Sequence, residues 1–127
     1  MASMRWVVTK EDVAKNRLVE PGWHPVEVAD FQIALSKKKD SNNAIYDFKV
    51  LSPNFAGAMI RIYFNEKAAG AMTPLLLAMG NKQNEDGSID VNLSKESLVG
   101  LKVKAFIVRG EFEGKPKNEI TDYAALV

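Results

Sequence analysis

Two neighbouring runs of the chain alternate apolar and polar side chains. In Ala44–Leu51, Tyr46, Phe48 and Val50 alternate with Ile45, Asp47 and Lys49. In Ala58–Phe64, Ile60, Ile62 and Phe64 alternate with Met59, Arg61 and Tyr63. A period of two sends successive side chains to opposite faces of a sheet. The stretch therefore predicts two strands joined through Ser52-Pro53-Asn54-Phe55-Ala56-Gly57, each with one apolar and one mixed face. The apolar sets are expected to enter a core, which leaves Lys49, Arg61 and Tyr63 on a solvent-facing sheet surface.

The same pattern extends to both sides. Trp23 to Leu35 predicts a long first strand with apolar positions at Val26 and Val28, then at Phe31, Ile33 and Leu35. The phase flips between Val28 and Phe31, which is the mark of a β-bulge, and a bulge bends a strand so that it can serve two sheets. Phe31, just after the flip, can face either way. Leu101–Arg109 predicts a fourth strand with Val103, Ala105 and Ile107 on one face and Lys102, Lys104, Phe106 and Val108 on the other. Glu119–Ala124 predicts a fifth, after a hairpin-like loop over Gly110–Asn118.

Helical signals are few. Thr9 before Lys10-Glu11-Asp12 is an N-cap followed by acids, so Lys10–Leu18 predicts a short helix with Val13 and Leu18 turned inward, ended by Pro21-Gly22. Arg5–Thr9 ahead of it is apolar and β-branched, and suggests a strand or a packed arm. Between the third and fourth strands, Thr73-Pro74 reads as a cap and first-turn pair and Gly80 as a stop. Leu75, Leu76, Leu77 and Met79 make that helix apolar nearly all round, so it should be buried against the end of a sheet or barrel. Ser94-Lys95-Glu96-Ser97 allows one more helical turn before Gly100.

The expected architecture is mainly β. It has five strands, a short N-terminal helix and a helix between strands 3 and 4. A long bent first strand is how a small five-stranded Greek-key barrel closes, and this order is the layout of the OB-fold. One domain is expected, with residues 1–22 as an arm and short helix and residues 23–125 as the barrel. OB-folds bind oligonucleotides through strands 2 and 3 and the loops after strands 1 and 4. Here those loops are Ser36–Asn43 and Gly110–Asn118.

Composition narrows the function. The 127 residues are 46% hydrophobic and 26% charged, which suits one globular domain. No apolar run approaches the ~18–20 residues of a membrane helix, and no charged-then-apolar leader pattern is present. The absence of cysteine excludes disulfides and thiolate metal sites and agrees with a reducing cytoplasm. A net charge of +1 means that any nucleic-acid binding must rest on local patches rather than on a basic chain.

Those patches are identifiable. Lys49, Arg61 and Tyr63 put cations beside an aromatic on an open sheet, where a ring can stack on a base while the cations follow phosphates. A merely solvated polar face is the alternative. Lys37, Lys38 and Lys39 can follow a phosphate backbone, or simply keep a loop soluble. Lys102, Lys104, Phe106 and Arg109 repeat the theme, with Phe106 either outward or filling the barrel. Phe112, Lys115 and Lys117 can clamp a strand, but Glu111 and Glu113 cancel their charge. Trp23 and Trp6 can stack on bases, yet Trp23 reads first as a core residue. His24 is the single histidine, so the usual zinc sets cannot be built, and no partner for a triad is evident. Glu85, Asp86 and Asp90 lack calcium-loop spacing. No catalytic set or cofactor is expected.

Several short motifs also resemble a family of small phage-encoded proteins thought to be OB-fold single-stranded DNA-binding proteins. They are Pro21-Gly22-Trp23-His24-Pro25-Val26, Ile45-Tyr46-Asp47-Phe48-Lys49-Val50, Leu77-Ala78-Met79-Gly80, Val99-Gly100-Leu101-Lys102-Val103 and Asn118-Glu119-Ile120-Thr121-Asp122-Tyr123. The resemblance implies non-specific binding of single-stranded DNA in phage replication or recombination, in the host cytoplasm, with phage recombination or replication proteins as partners. The acidic tail by which many such proteins recruit partners is missing, since the chain ends Asp122-Tyr123-Ala124-Ala125-Leu126-Val127. The mild charge suggests that self-association would assist binding. The competing expectation is a protein-interaction module on the same barrel with no direct nucleic-acid binding.

Overall fold

A computed structural model of the protein describes residues 2–126. Helix α1 (Lys10–Lys15) precedes strand β1 (Gly22–Leu35). Strands β2 (Asn42–Val50) and β3 (Met59–Asn65) follow, joined through a 3-10 turn at Pro53–Phe55. A 3-10 segment (Glu66–Met72) runs into helix α2 (Thr73–Ala78), and helix α3 (Lys95–Leu98) precedes strands β4 (Lys102–Phe112) and β5 (Lys115–Ala125). The fold is mainly β. No helix among the described residues is long and apolar enough to cross a membrane.

All five strands form one antiparallel sheet in the order β3-β2-β1-β4-β5. Laid flat, its edges would be about 19 Å apart at the usual strand spacing. Instead β3 and β5 touch without sharing a ladder, so the sheet is strongly coiled and barrel-like, but open. The coil comes largely from β1. Val28 pairs with Phe48 and Asp30 with Asp47, leaving Ala29 as the extra residue of the bulge. β1 pairs with β4 over Gly22–Glu27 and with β2 from Val26 onward, so it pairs on both sides only just before the bulge and with β2 alone after it.

The bulge resets the pleat, so Val26, Val28 and Phe31 all face inward. There they meet Tyr46, Phe48 and Val50 of β2, Ile60 and Phe64 of β3, and Val103, Ala105 and Ile107 of β4. Tyr46 organises this core. Its ring stacks on Phe48 at 5.6 Å and meets Phe31 and Phe64 edge-on at 5.0 and 5.7 Å. Its hydroxyl donates to the Met72 sulfur at 3.3 Å, and burial pushes the phenol up to about 12. Leu75 and Leu76 of α2 and Leu98 of α3 complete the core, with α2 packed on β5. Asn81 N and Gly80 N donate back to Leu76 O and Leu77 O, a Schellman stop at a glycine with φ of 96°.

Some expectations change. Asn65, not Thr73, is the capping side chain at the start of the helical run, accepting from Lys67 N. Residues 110–118 form no loop: β4 and β5 pair to Phe112–Lys115 around Glu113-Gly114. Both turn residues have positive φ (52° and 78°), the conformation of a tight type I′ hairpin. Pro116 is tolerated there because β5 is an edge. Residues 5–8 are neither strand nor packed arm; Trp6, Val7 and Val8 are exposed. The helix ends at Lys15 and leaves Val13 in solvent, because no element lies over that face.

The hydrogen bonds that tie the N-terminal segment to β5 come just after α1. Asn118 of β5 accepts from Val19 N at 2.8 Å and donates to Arg17 O at 2.9 Å. Val19 is fully buried, so removing its acceptor strands a buried N–H. Asn118→Ala is expected to cost about 1–3 kcal/mol in urea unfolding. A loss under about 0.5 kcal/mol, the range of an ordinary surface change, would show that the clasp does not hold.

Candidate nucleic-acid interface

Strand pairing lines up the outward side chains of the sheet in rows. After the bulge, β1 turns out Asp30, Gln32 and Ala34; before it, Trp23, Pro25 and Glu27. The rows are Trp23 with Phe106, Pro25 with Lys104, and Lys102-Glu27-Lys49-Met59. Asp30-Asp47-Arg61 and Gln32-Ile45-Tyr63 follow along the strands. Of these side chains Ile45 alone is buried, at 7% exposure, so the face is polar around a small apolar patch.

The aromatic end is the feature that sequence reasoning missed. Trp23 is not in the core: it is 47% exposed and meets Phe106 edge-on at 5.3 Å. Alternation carried the signal. With Val26 and Val28 inward, position 23 must face outward, and the general tendency of Trp to be buried was the wrong guide. Phe106 is likewise on the outer face, half-buried by its partner. Trp23, Pro25 and Lys104, with His24 and Ala124, line a shallow cavity of about 350 Å³. Lys104 is exposed in the row beside the pair, and Lys102 and Lys49 are exposed one row further on, flanking Glu27; none of the three forms a salt bridge among the described residues.

The middle of the face is electrically balanced. Arg61 donates from Nε and Nη2 to the two oxygens of Asp47 at 2.7 and 3.0 Å. Asp47 first, and Tyr63 after it, hold the guanidinium firmly protonated. Asp30 carries Lys95 at 3.3 Å. Two acids thus face two bases, and Arg61 reaches a phosphate only in competition with Asp47. Tyr63 lies one row further, 58% exposed beside buried Ile45.

The other sequence-predicted cations lie apart. Lys37, Lys38 and Lys39 are exposed in a turn that is held by Ser36 N to Ser41 O and by Lys39 N to Ser36 O, both 2.9 Å. They lie beyond the Leu35 end of β1, at most about 40 Å from Trp23 along the strand. The sheet brings Lys49, Arg61, Tyr63, Lys102, Lys104 and Phe106 onto one face; the lysine turn extends it at one end. At the hairpin tip, Lys117 is 5.5 Å from the Phe112 ring and 3.6 Å from Glu119, so those groups are engaged with each other.

His24 faces the other way and bolts the first strand to the β2–β3 connection. Its Nε2 donates to Glu20 O at 2.6 Å, since a carbonyl can only accept, and its Nδ1 meets Ser52 Oγ at 2.7 Å.

The balanced band makes a titration prediction. The Phe31 N–H, at 2.8 Å, and then Lys95 hold the Asp30 carboxyl below the usual carboxylate range. Its folded value lies below its unfolded one, so its stabilisation is present above the unfolded value and lost as pH falls through the folded one. Carboxyl titration by NMR should place Asp30 under the ordinary ~3.9. Lys95→Ala should raise it only in part, because the Phe31 bond remains. An ordinary midpoint in the unaltered protein would contradict the pairing.

Compared with known proteins, the chain matches no protein-family model and no curated sequence.

Proposed function

We propose that this protein binds single-stranded DNA without sequence preference and without catalysis, on the outer face of its coiled sheet. The observation that carries the reading is the pair of exposed Trp23 and half-buried Phe106, with Lys104 in the next row and Lys102 and Lys49 in the row beyond, either side of Glu27. Leaving two large rings on a sheet surface contributes little to folding. They offer flat faces on which any base can stack, with cations placed to follow the backbone. The strand order β3-β2-β1-β4-β5, with helical segments between β3 and β4, supports an OB-fold assignment; the usual ligand surface of that fold is strands 2 and 3 with the loops after strands 1 and 4, and the Trp23–Phe106 pair on β1 and β4 adjoins it. The phage setting, in replication or recombination, rests on the sequence resemblance. The exposed rings would equally suit a protein partner, which is the second reading, and salt separates the two.

Fluorescence anisotropy with a poly-dT of about 30 nucleotides, beside duplex DNA, is the test. Single strands should bind more tightly, with affinity falling steadily as salt rises. Trp23→Ala and Phe106→Ala should each cost about 1–3 kcal/mol, the worth of one stacked base. Lys104→Ala should reduce the salt slope by about 0.7, the single-strand value for one phosphate. Arg61→Ala should cost less than Lys104→Ala, and Asp47→Asn should tighten binding by releasing Arg61. No binding at low salt, or binding indifferent to salt, would overturn the reading in favour of a protein partner.

A further inference from the structure

A second apolar feature lies away from this face. At the Asn42 end of β2 a cavity of about 510 Å³ opens between the sheet, the 3-10 segment and residues 83–93. Ala44, Phe64, Met72, Leu76, Ile89 and Val91 are among its walls. Ile33 stands at its side, 55% exposed although it is in phase with buried Phe31.

The chain also carries an apolar segment that covers nothing. Met4, Trp6, Val7 and Val8 are 72%, 76%, 64% and 56% exposed. No backbone hydrogen bond holds residues 2–8 among the described residues. The segment nonetheless leaves the body at a defined point, because Thr9 and Asp12 form a reciprocal capping box at the start of α1. We propose that this arm docks in the cavity of a second copy, with Trp6 seated between the sheet and residues 83–93.

Reach favours another chain as the acceptor. α1 is anchored at the opposite end of the hairpin: Arg17 donates to Asn54 O at 3.1 Å, Ala14 abuts Gly57, and Gly57 N donates to Val50 O. From Val50 the nearest cavity wall, Ala44, is about 20 Å away along β2, and Asn42 about 26 Å. Fully stretched, the path from Ala14 to Trp6 spans only about 18 Å, counting the helical rise and three extended residues. Counting the length of the indole as well, a straight arm brings Trp6 to the near wall of its own cavity at Ala44 but not past it to a seat between the sheet and residues 83–93.

Chemistry fits the same occupant. Burying Trp6 would remove about 200 Å² of largely apolar surface from water at each site. Alternation puts Met4, Trp6 and Val8 on one side of an extended arm and Arg5 on the other. Glu66 lines the cavity, and the neighbouring segments carry Glu85, Asp86 and Asp90 against Lys82, with Lys67 paired to Asp40, so the surroundings are acidic and suit Arg5. Reciprocal exchange of two arms closes a two-fold dimer and leaves neither arm unburied.

Sedimentation equilibrium of the full chain at micromolar concentration tests this. The unaltered protein should show twice the 14.1 kDa of one chain. Trp6→Asp, which removes the plug, and Ala69→Trp, which fills the socket from an exposed position on its wall, should each sediment as monomers. Mixed together they should associate again, since one retains the socket and the other the plug. Binding of poly-dT at concentrations where the unaltered protein is monomeric should be the same in all three. A monomeric unaltered protein, or a dimer untouched by both substitutions, would overturn the proposal. So would Trp6→Asp weakening poly-dT binding with no change in mass, which would make Trp6 a base contact instead. None of these outcomes touches the DNA reading of the Trp23 face.

Discussion

The structure depends on one inserted residue. Strand β1 ladders with β4 over Gly22–Glu27 and with β2 over Val26–Leu35, and Ala29 stands just past the overlap of the two ladders. A pleated strand alternates strictly, so without the extra residue Phe31 would face outward while Val26 and Val28 faced inward. The bulge keeps all three in the core and bends the sheet until its edge strands touch. The β4–β5 hairpin needs a second irregularity, between Phe106 and Ile107, to follow the same curvature.

The bulge also sets the outer face. On one side of it the outward positions are Trp23, Pro25 and Glu27; on the other, Asp30, Gln32 and Ala34. The first group meets β4 and acquires Phe106, Lys104 and Lys102. The second meets β2 and β3, where Asp47 and Arg61 satisfy each other. One bend thus separates an aromatic region, where Lys104 and Lys102 stand with Glu27 and Asp122, from the band closed by the Arg61–Asp47 pair. In the proposed function the first supplies stacking and phosphate attraction. The balanced band keeps the net field mild, in agreement with a chain of net charge +1.

Much of this was legible in the amino-acid sequence because its signals are local. Alternation defined the faces of β2, β3 and β4, and the phase flip after Val28 announced the bulge. What was not legible depends on pairing partners. The Arg61–Asp47 pair requires the β2–β3 register, and Trp23 beside Phe106 requires β1 to lie against β4. Trp23 shows that periodicity outranks residue type: its position in the pattern faced solvent, and a preference for buried Trp pointed wrongly. The β4–β5 hairpin was expected over residues 110–118, but its strands run further than expected because Gly-Glu-Phe-Glu-Gly-Lys-Pro is loop-like in composition, while Glu113-Gly114 needs only two residues to turn. The exposed arm at Met4–Val8 is the converse case, since strand-like residues find no backbone partner among the described residues.

The central claim is that the Trp23 ring is a surface on which bases stack. With only two tryptophans in the chain, Trp6→Phe leaves Trp23 as the sole indole. Its emission, followed during titration with poly-dT, reads the claim directly. The account predicts saturable quenching that added salt reverses, with little response to duplex DNA. Unchanged Trp23 emission at saturating poly-dT would contradict it.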